Sequence, residues 1–235
     1  MYRTDEADAA RGGVSGRGSD CAREIAALKL SPHAALAKRA LDVILAGGLL
    51  LIFLPVLGVI AFGVWRSSPG PIIYSQPRVG QGGKPFRFFK FRSMVTNSDE
   101  FLTSFLESNP AAMTRWNEFQ KLDDDPRITS FGRFIRRSSL DELPQLWNVV
   151  KGDMSLVGPR PCMVDQRVLY GGHWPAYCAV RPGLTGLWQV SGRNRLTYQQ
   201  RVALDADYVR KWSVWVDAKI LLRTIRVVVT GDGSQ

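Results

Sequence analysis

VILAGGLLLIFLPVLGVIAFGVW, Val43–Trp65, runs 23 residues without a charge and carries Pro55 near its middle. A straight helix of that length reaches about 35 Å at 1.5 Å per residue, enough to cross a bilayer core. Pro55 offers no N–H to the Leu51 carbonyl and its ring crowds the preceding turn, at a cost of roughly 3 kcal/mol or a kink. Two half-helices are therefore expected. Lys38 and Arg39 precede the segment, and Arg66, Arg78, Lys84, Arg87, Lys90 and Arg92 follow it before any acid appears. Under the positive-inside rule both flanks belong on the cytoplasmic side. A segment that enters the membrane, bends at Pro55 and returns satisfies both facts; a tilted, kinked span and a buried core helix stay open as alternatives. Asp42, at the start, is within a turn of Lys38 and Arg39 and can pair with either at the headgroup level.

Outward from this segment the chain divides into a Gly-, Ala-, Ser- and Arg-rich extension (1–37), the proline-broken apolar segment (38–66) and a longer region (67–235). The extension is expected to lack fixed structure, apart from a short helix over 20–30. The formal net charge is +10. Residues 1–42 hold seven Lys or Arg against six Asp or Glu, whereas residues 66–235 hold 24 against 15. The basic excess therefore lies in the folded part, which suits phosphorylated small molecules, anionic lipid or nucleic acid. Cys21, Cys162 and Cys178 are odd in number and form no CxxC, which argues against a disulfide framework or a thiolate metal site. With two histidines in the chain, a metal would be a hard cation on carboxylates and phosphates, Mg2+ first among them.

Within 67–235, Ile72–Tyr74 and Phe86–Phe91 read as short strands around the turn Gly80–Gly83. The second, FRFFKFR, interleaves aromatics with Arg87, Lys90 and Arg92. That pattern also occurs in nucleic-acid binding, but the adjacent apolar segment accounts for it better and no nucleic-acid partner is expected. Asn97–Gln120 reads as an amphipathic helix broken at Asn109-Pro110. Asp123-Asp124-Asp125-Pro126-Arg127 reads as a turn and cap ahead of a metal cluster. Phe131–Arg137 sets Phe131, Phe134 and Ile135 against Arg133, Arg136 and Arg137.

The chemistry-bearing stretch is SSLDELPQLWNVVKGDMSLVGPRP, Ser138–Pro161. Adjacent carboxylates disfavour each other's ionised form, so Asp141 and Glu142 need a cation, hydrogen-bond donors or open solvent to stay charged. Ser139-x-x-Glu142 imitates a capping box, yet Pro144 suits the first position of a helix that ends near Gly152. That places the acid pair just before a helix N-terminus. Ser155–Val157 reads as a strand leading into Gly158-Pro159-Arg160-Pro161, where flanking prolines stiffen an arginine whose planar fork fits phosphate or a pyrimidine carbonyl edge; a surface salt bridge is the alternative. Glycines 183, 186 and 192 in RPGLTGLWQVSGR suggest a tight loop and strand. Tyr198–Trp215 and Val216–Val229 read as two helices, the second suited to lying on a bilayer.

Taken in order, these stretches resemble the monotopic phosphoglycosyl transferases, bacterial sugar transferases that start glycan assembly on a polyprenol phosphate. The matching motifs are KR-x-x-D before the proline-broken segment, SSPGPIIYSQPRVGQGGKPFRFFKFRSM, DPRITSFGRFIRRSSLDELPQLWNVVKGDMSLVGPRP, and RPGLTGLWQVSGR followed by D-x-x-Y at Asp205, covering Lys38–Val229. The resemblance implies a mixed, helix-rich α/β fold with a re-entrant membrane helix, interfacial amphipathic helices and a small catalytic domain on the cytoplasmic face of the bacterial inner membrane. It further implies a UDP-sugar donor, weakly favouring a hexose, a polyprenyl phosphate acceptor and Mg2+. Asp141 would be the nucleophile, and Glu142 its partner in binding the metal. Lys90, Arg92, Arg127, Arg136 and Arg160 would meet the diphosphate. A homo-oligomer stays open. Leu54 departs from the family pattern, which often has Ser before the helix-breaking proline. Two other classes stay open: a non-catalytic basic scaffold on the membrane, and a diphosphate hydrolase.

Overall fold

The computed structural model describes residues 31–119, 122, 125–192 and 196–230. The expectations for residues 1–30 and for Asp123 and Asp124 fall outside the described residues. Ser31 caps the first helix, its Oγ accepting from the Ala34 N–H at 3.4 Å, with Pro32 in the first turn where its missing N–H costs nothing. Helix α1, Pro32–Ser67, then runs through Pro55 as one element. This corrects the expected pair of half-helices: proline removes a single ladder bond, and the turns on either side stay helical. The helix also reaches back into what the sequence assigned to the extension.

One face of α1 explains its two ends. Near its start, Arg39 donates to the carbonyls of Val149 and Val150 at 2.6 and 2.7 Å, Lys38 pairs with Asp217 at 2.5 Å, and Ala46 is fully buried. Asp42 pairs with neither Lys38 nor Arg39 as the sequence suggested. It is buried, and its Oδ1 accepts from the Leu156 N–H at 2.9 Å. Near the other end, Ile60 and Val64 pack with Phe91 and Ile135. Arg39 and Ile60 are about 30 Å apart along a straight helix, yet both ends rest on the same body. Between and beside them Leu51, Ile52, Leu54 and Val59 are exposed. The helix is long and apolar enough to cross a membrane.

The body that receives α1 begins with strands β1, Ile73–Val79, and β2, Pro85–Phe91, antiparallel with Ile73 opposite Phe91 and Val79 opposite Pro85. A 3-10 turn, Gln81–Gly83, joins them, with Gly82 and Gly83 at positive φ. Helices α2, Ser98–Ser108, and α3, Pro110–Phe119, meet at the predicted break. Helix α4, Ser130–Arg137, is capped by Thr129, whose Oγ1 accepts from the Gly132 N–H at 2.9 Å. Its Ile135 is buried but Phe134 is exposed, so the aromatic face expected there is split. Helix α5, Gln145–Lys151, follows Pro144 and ends at Gly152 with φ 99°, a left-handed cap that favours glycine.

Strand β3, Ser155–Val157, pairs in parallel with β4, Gly183–Thr185. Helices α6, Arg167–Tyr170, and α7, Trp174–Ala179, lie between them in sequence. Helix α8, Tyr198–Arg210, starts with a capping box between Thr197 and Gln200. Helix α9, Val214–Thr230, starts earlier than predicted. Ser213 Oγ accepts from the Val216 N–H at 3.2 Å and so caps α9, after α8 has ended at Arg210. The fold is a helix-rich mixed α/β arrangement of two small sheets. Phe88, Leu146, Val149, Met154 and Leu156 join Ala46 of α1 in its main core.

Candidate active site

Ser139 has φ 57°, in the left-handed region that residues other than glycine rarely adopt. It ends α4 and turns the chain into a 3-10 turn, Leu140–Glu142. The Ser139 side chain makes no capping bond there, so the capping-box reading of Glu142 is not what this stretch forms. The turn tucks Asp141 inward, where it is 6 % exposed, and leaves Glu142 half-buried beside it.

Three basic groups from three elements converge on this pair. Lys90, near the end of β2, sets its Nζ 2.7 Å from Glu142 Oε1 and 3.6 Å from Asp141 Oδ2, bridging the two acids. Arg160 brings its Nη2 to 3.9 Å from Glu142 Oε1. Arg136 donates from Nε to Ser93 Oγ at 2.7 Å, and its charge acts on Asp141. Gly132 lets α4 sit this close to β2's extension: a Cβ there would lie 2.0 Å from the Ser93 carbonyl oxygen. Burial pushes the Asp141 carboxyl up from the ordinary carboxylate range, opposed by Lys90 and assisted by Glu142. The pair thus has the cation its adjacent charges require.

The remaining predicted cations are engaged elsewhere. Arg92 is buried and donates from Nη2 to the Ser68 carbonyl, holding the turn that leaves α1. Arg127 wraps Asp125, with Nε at 2.9 and 3.1 Å from the two carboxylate oxygens and Nη2 at 2.6 Å from Oδ2. Asp125 also accepts from the Arg127 main-chain N–H at 3.0 Å across Pro126, the predicted turn at this position. Lys90 shares a strand face with Phe88, its Nζ 5.6 Å from that ring centroid.

Sequence reasoning missed Asn148, which positions Lys90. Asn148 is fully buried on α5; its Oδ1 accepts from the Phe89 N–H at 3.1 Å and its Nδ2 donates to the Arg87 carbonyl at 2.6 Å. It therefore satisfies the open edge of β2 on both sides of Phe88 and fixes the strand against the acid pair. No local pattern signals this, because the partners lie about 60 residues away. Asp141 and Glu142 offer hard oxygen donors, and Lys90 shows that a cation is favoured between them. Among the described residues there is no cluster of three or more metal-ligating side chains. That donor set fits Mg2+, which is commonly held by one or two carboxylates and completes its shell with phosphate oxygens and water.

The described residues thus bring an acid pair under three converging cations, in a chain whose first helix is long and apolar enough to cross a membrane. The chain belongs to the bacterial sugar transferase family, which matches residues 33–231. It is 50 % identical to the UDP-galactose-lipid carrier transferase of Erwinia amylovora over 84 % of this chain and 41 % of that protein. It is 44 % identical to the exopolysaccharide production protein ExoY of Sinorhizobium fredii, over 87 % of this chain and 91 % of that protein. It is 42 % identical to the UDP-glucose:undecaprenyl-phosphate glucose-1-phosphate transferase of Caulobacter vibrioides, over 85 % and 72 % of the two chains. The chain thus spans about two-fifths of the length of relatives such as the Erwinia protein and most of ExoY.

Proposed function

We propose that this chain is an enzyme that moves a hexose 1-phosphate from a UDP-sugar to polyprenyl phosphate, releasing UMP and initiating exopolysaccharide, capsule or O-antigen synthesis. The observation that carries the reading is the buried Asp141 paired with Glu142 beneath Lys90, Arg136 and Arg160. The names of the relatives supply the substrate classes. Asp141 attacks the β-phosphorus of the UDP-sugar; the bond from that phosphorus to the bridging oxygen breaks, and UMP leaves with the electron pair. The phosphosugar stays on the Asp141 carboxylate until a phosphate oxygen of polyprenyl phosphate attacks the same phosphorus and the carboxylate departs. Splitting one transfer into two in this way suits a carboxylate nucleophile.

Glu142, held by Lys90, keeps a second anion beside the reacting group and is placed to accept the proton of the incoming lipid phosphate. Lys90 and Arg160 neutralise the diphosphate, and Arg136 offsets the charge of Asp141. Asp141 and Glu142 would hold Mg2+, which supplies charge stabilisation on the transferring phosphoryl oxygens when bound. Arg92 and Arg127, as arranged here, support this basic wall by fixing the chain around Ser68 and Asp125. Incubation with UDP-glucose or UDP-galactose, undecaprenyl phosphate and Mg2+ should release UMP, and omission of any of the three should stop turnover. Sustained UMP release without the lipid acceptor would identify a hydrolase instead, and none under any condition a non-catalytic scaffold.

The same reading places α1 in the bacterial cytoplasmic membrane as a re-entrant helix, with the site on the cytoplasmic face and lipids around the exposed apolar residues. Support comes from the two ends of α1 resting on one body, from its exposed middle and from its basic flanks. Single cysteines near positions 36 and 70, such as Leu36→Cys and Ser67→Cys at exposed positions, in a background without the native three, should both be labelled from the cytoplasm alone. Labelling of the two from opposite sides of the membrane would establish a spanning helix.

A further inference from the structure

Beneath the Pro159–Pro161 turn, α8 carries two groups that the proposed chemistry does not use. Asp205 is 2 % exposed. Its Oδ2 accepts from the Tyr170 hydroxyl at 3.1 Å and lies 3.9 Å from Arg201 Nε, one helical turn earlier. The neighbouring Arg160 favours the charged form of this carboxylate, and Oδ1 has no hydrogen-bond partner. Arg201 addresses the other side of the same residue, donating from Nη2 to the Arg160 carbonyl at 3.5 Å. The two guanidinium groups also share an aromatic surface: Arg201 lies 4.9 Å, and Arg160 5.5 Å, from the centroid of Trp188.

The Arg160 carbonyl is therefore held from α8, and its guanidinium rests on Trp188 beside that of Arg201. Flanking prolines make the turn stiff, so a displacement of its backbone carries through to the guanidinium. A folding role explains the arrangement poorly. Burial pushes the Asp205 carboxyl up to about 7, against Arg201 and Tyr170, and a buried ion pair is often no more stable than apolar packing of the same volume. We infer that Asp205 and Arg201 are positioning residues, which act through the Pro159–Pro161 turn to set where Arg160 meets Glu142 and the substrate diphosphate. The inference rests on the reading above that Arg160 contacts the diphosphate.

A double-mutant cycle tests it in the full chain, with undecaprenyl phosphate and whichever of UDP-glucose or UDP-galactose supports UMP release. Asp205→Asn keeps the volume and removes the charge that holds Arg201. It should lower kcat/KM about tenfold when Arg160 is present and less than about twofold in an Arg160→Ala background, since residues that act as a unit are not additive. Tyr170→Phe, which removes only the hydroxyl donor to Asp205, gives the same cycle with a smaller factor and serves if Asp205→Asn does not fold. An equal loss in both backgrounds, or no loss from Asp205→Asn in a folded protein, overturns the inference while leaving the role of Arg160 intact. Normal kcat/KM for Arg160→Ala alone overturns that role, and the inference with it.

Discussion

Asp141→Asn should lower turnover about a thousandfold or more while the chain stays folded and membrane-associated. The substitution keeps the size of the side chain but replaces the anionic nucleophile with a neutral amide, and losses of this order follow removal of a nucleophile from a group of residues acting together. Stability should not fall with it. Burial already raises the Asp141 carboxyl above the ordinary range, so the folded site favours the neutral form relative to the unfolded chain. For a carboxyl raised in this way, the stabilising contribution is complete below its unfolded pKa and is lost as pH rises through the folded value. At neutral pH a neutral amide therefore removes a cost, and the Lys90–Glu142 pair at 2.7 Å remains to occupy the ammonium. UMP release and a thermal melt on the same sample check both halves. A loss of tenfold or less would mean that Asp141 does not attack phosphorus.

Gly183→Ala should prevent stable folding, with a cost of about 3 kcal/mol or more. A Cβ at this position would lie 2.1 Å from the Gly158 amide nitrogen, 2.3 Å from the Thr185 carbonyl oxygen and 2.7 Å from the Gly158 Cα. All three are backbone atoms, of β4 and of the residue that follows β3, so no side-chain rotation relieves the overlap, and core overpacking of this kind ranks among the most destabilising single changes. The disturbance also reaches the site. The Gly183 N–H donates to the Pro159 carbonyl at 2.7 Å, next to Arg160. A melt at or above wild type, with normal UMP release, would show that the strands can separate there without consequence.

Local signals in the chain carry much of this architecture. The apolar run with Pro55, the hairpin around Gly80–Gly83, the helix after Pro144 and the strand before Gly158 each depend on composition, turn residues or caps within a few positions. Asp141 and Glu142 stand out because adjacent acids before a proline have no simple local purpose. The long-range assignments were not legible in the same way. Lys38, Arg39 and Asp42 read as a membrane flank, yet they fasten α1 to Asp217, to the end of α5 and to β3, with partners more than 100 residues distant. Gly183 reads as part of a tight loop and strand, whereas its use is the close approach of β4 to the end of β3, which only the parallel pairing creates. The family resemblance gives Arg92 and Arg127 the same expected role as Arg160; the Ser68 carbonyl and the Asp125 carboxylate decide what their guanidinium groups do. The boundary between α8 and α9 was missed because no glycine or proline marks it: α8 ends at Arg210 and the Ser213 hydroxyl caps α9.

Covalent transfer through Asp141 is the central claim, and intact-mass measurement under rapid acid quench tests it most directly. Wild-type protein given Mg2+ and its UDP-sugar, without polyprenyl phosphate, should gain the mass of one sugar phosphate and release at most about one UMP per active site. Added polyprenyl phosphate should remove the extra mass, and Asp141→Asn should never acquire it. Absence of any adduct in the wild type, while steady UMP release requires both substrates together, would contradict the account and establish direct transfer.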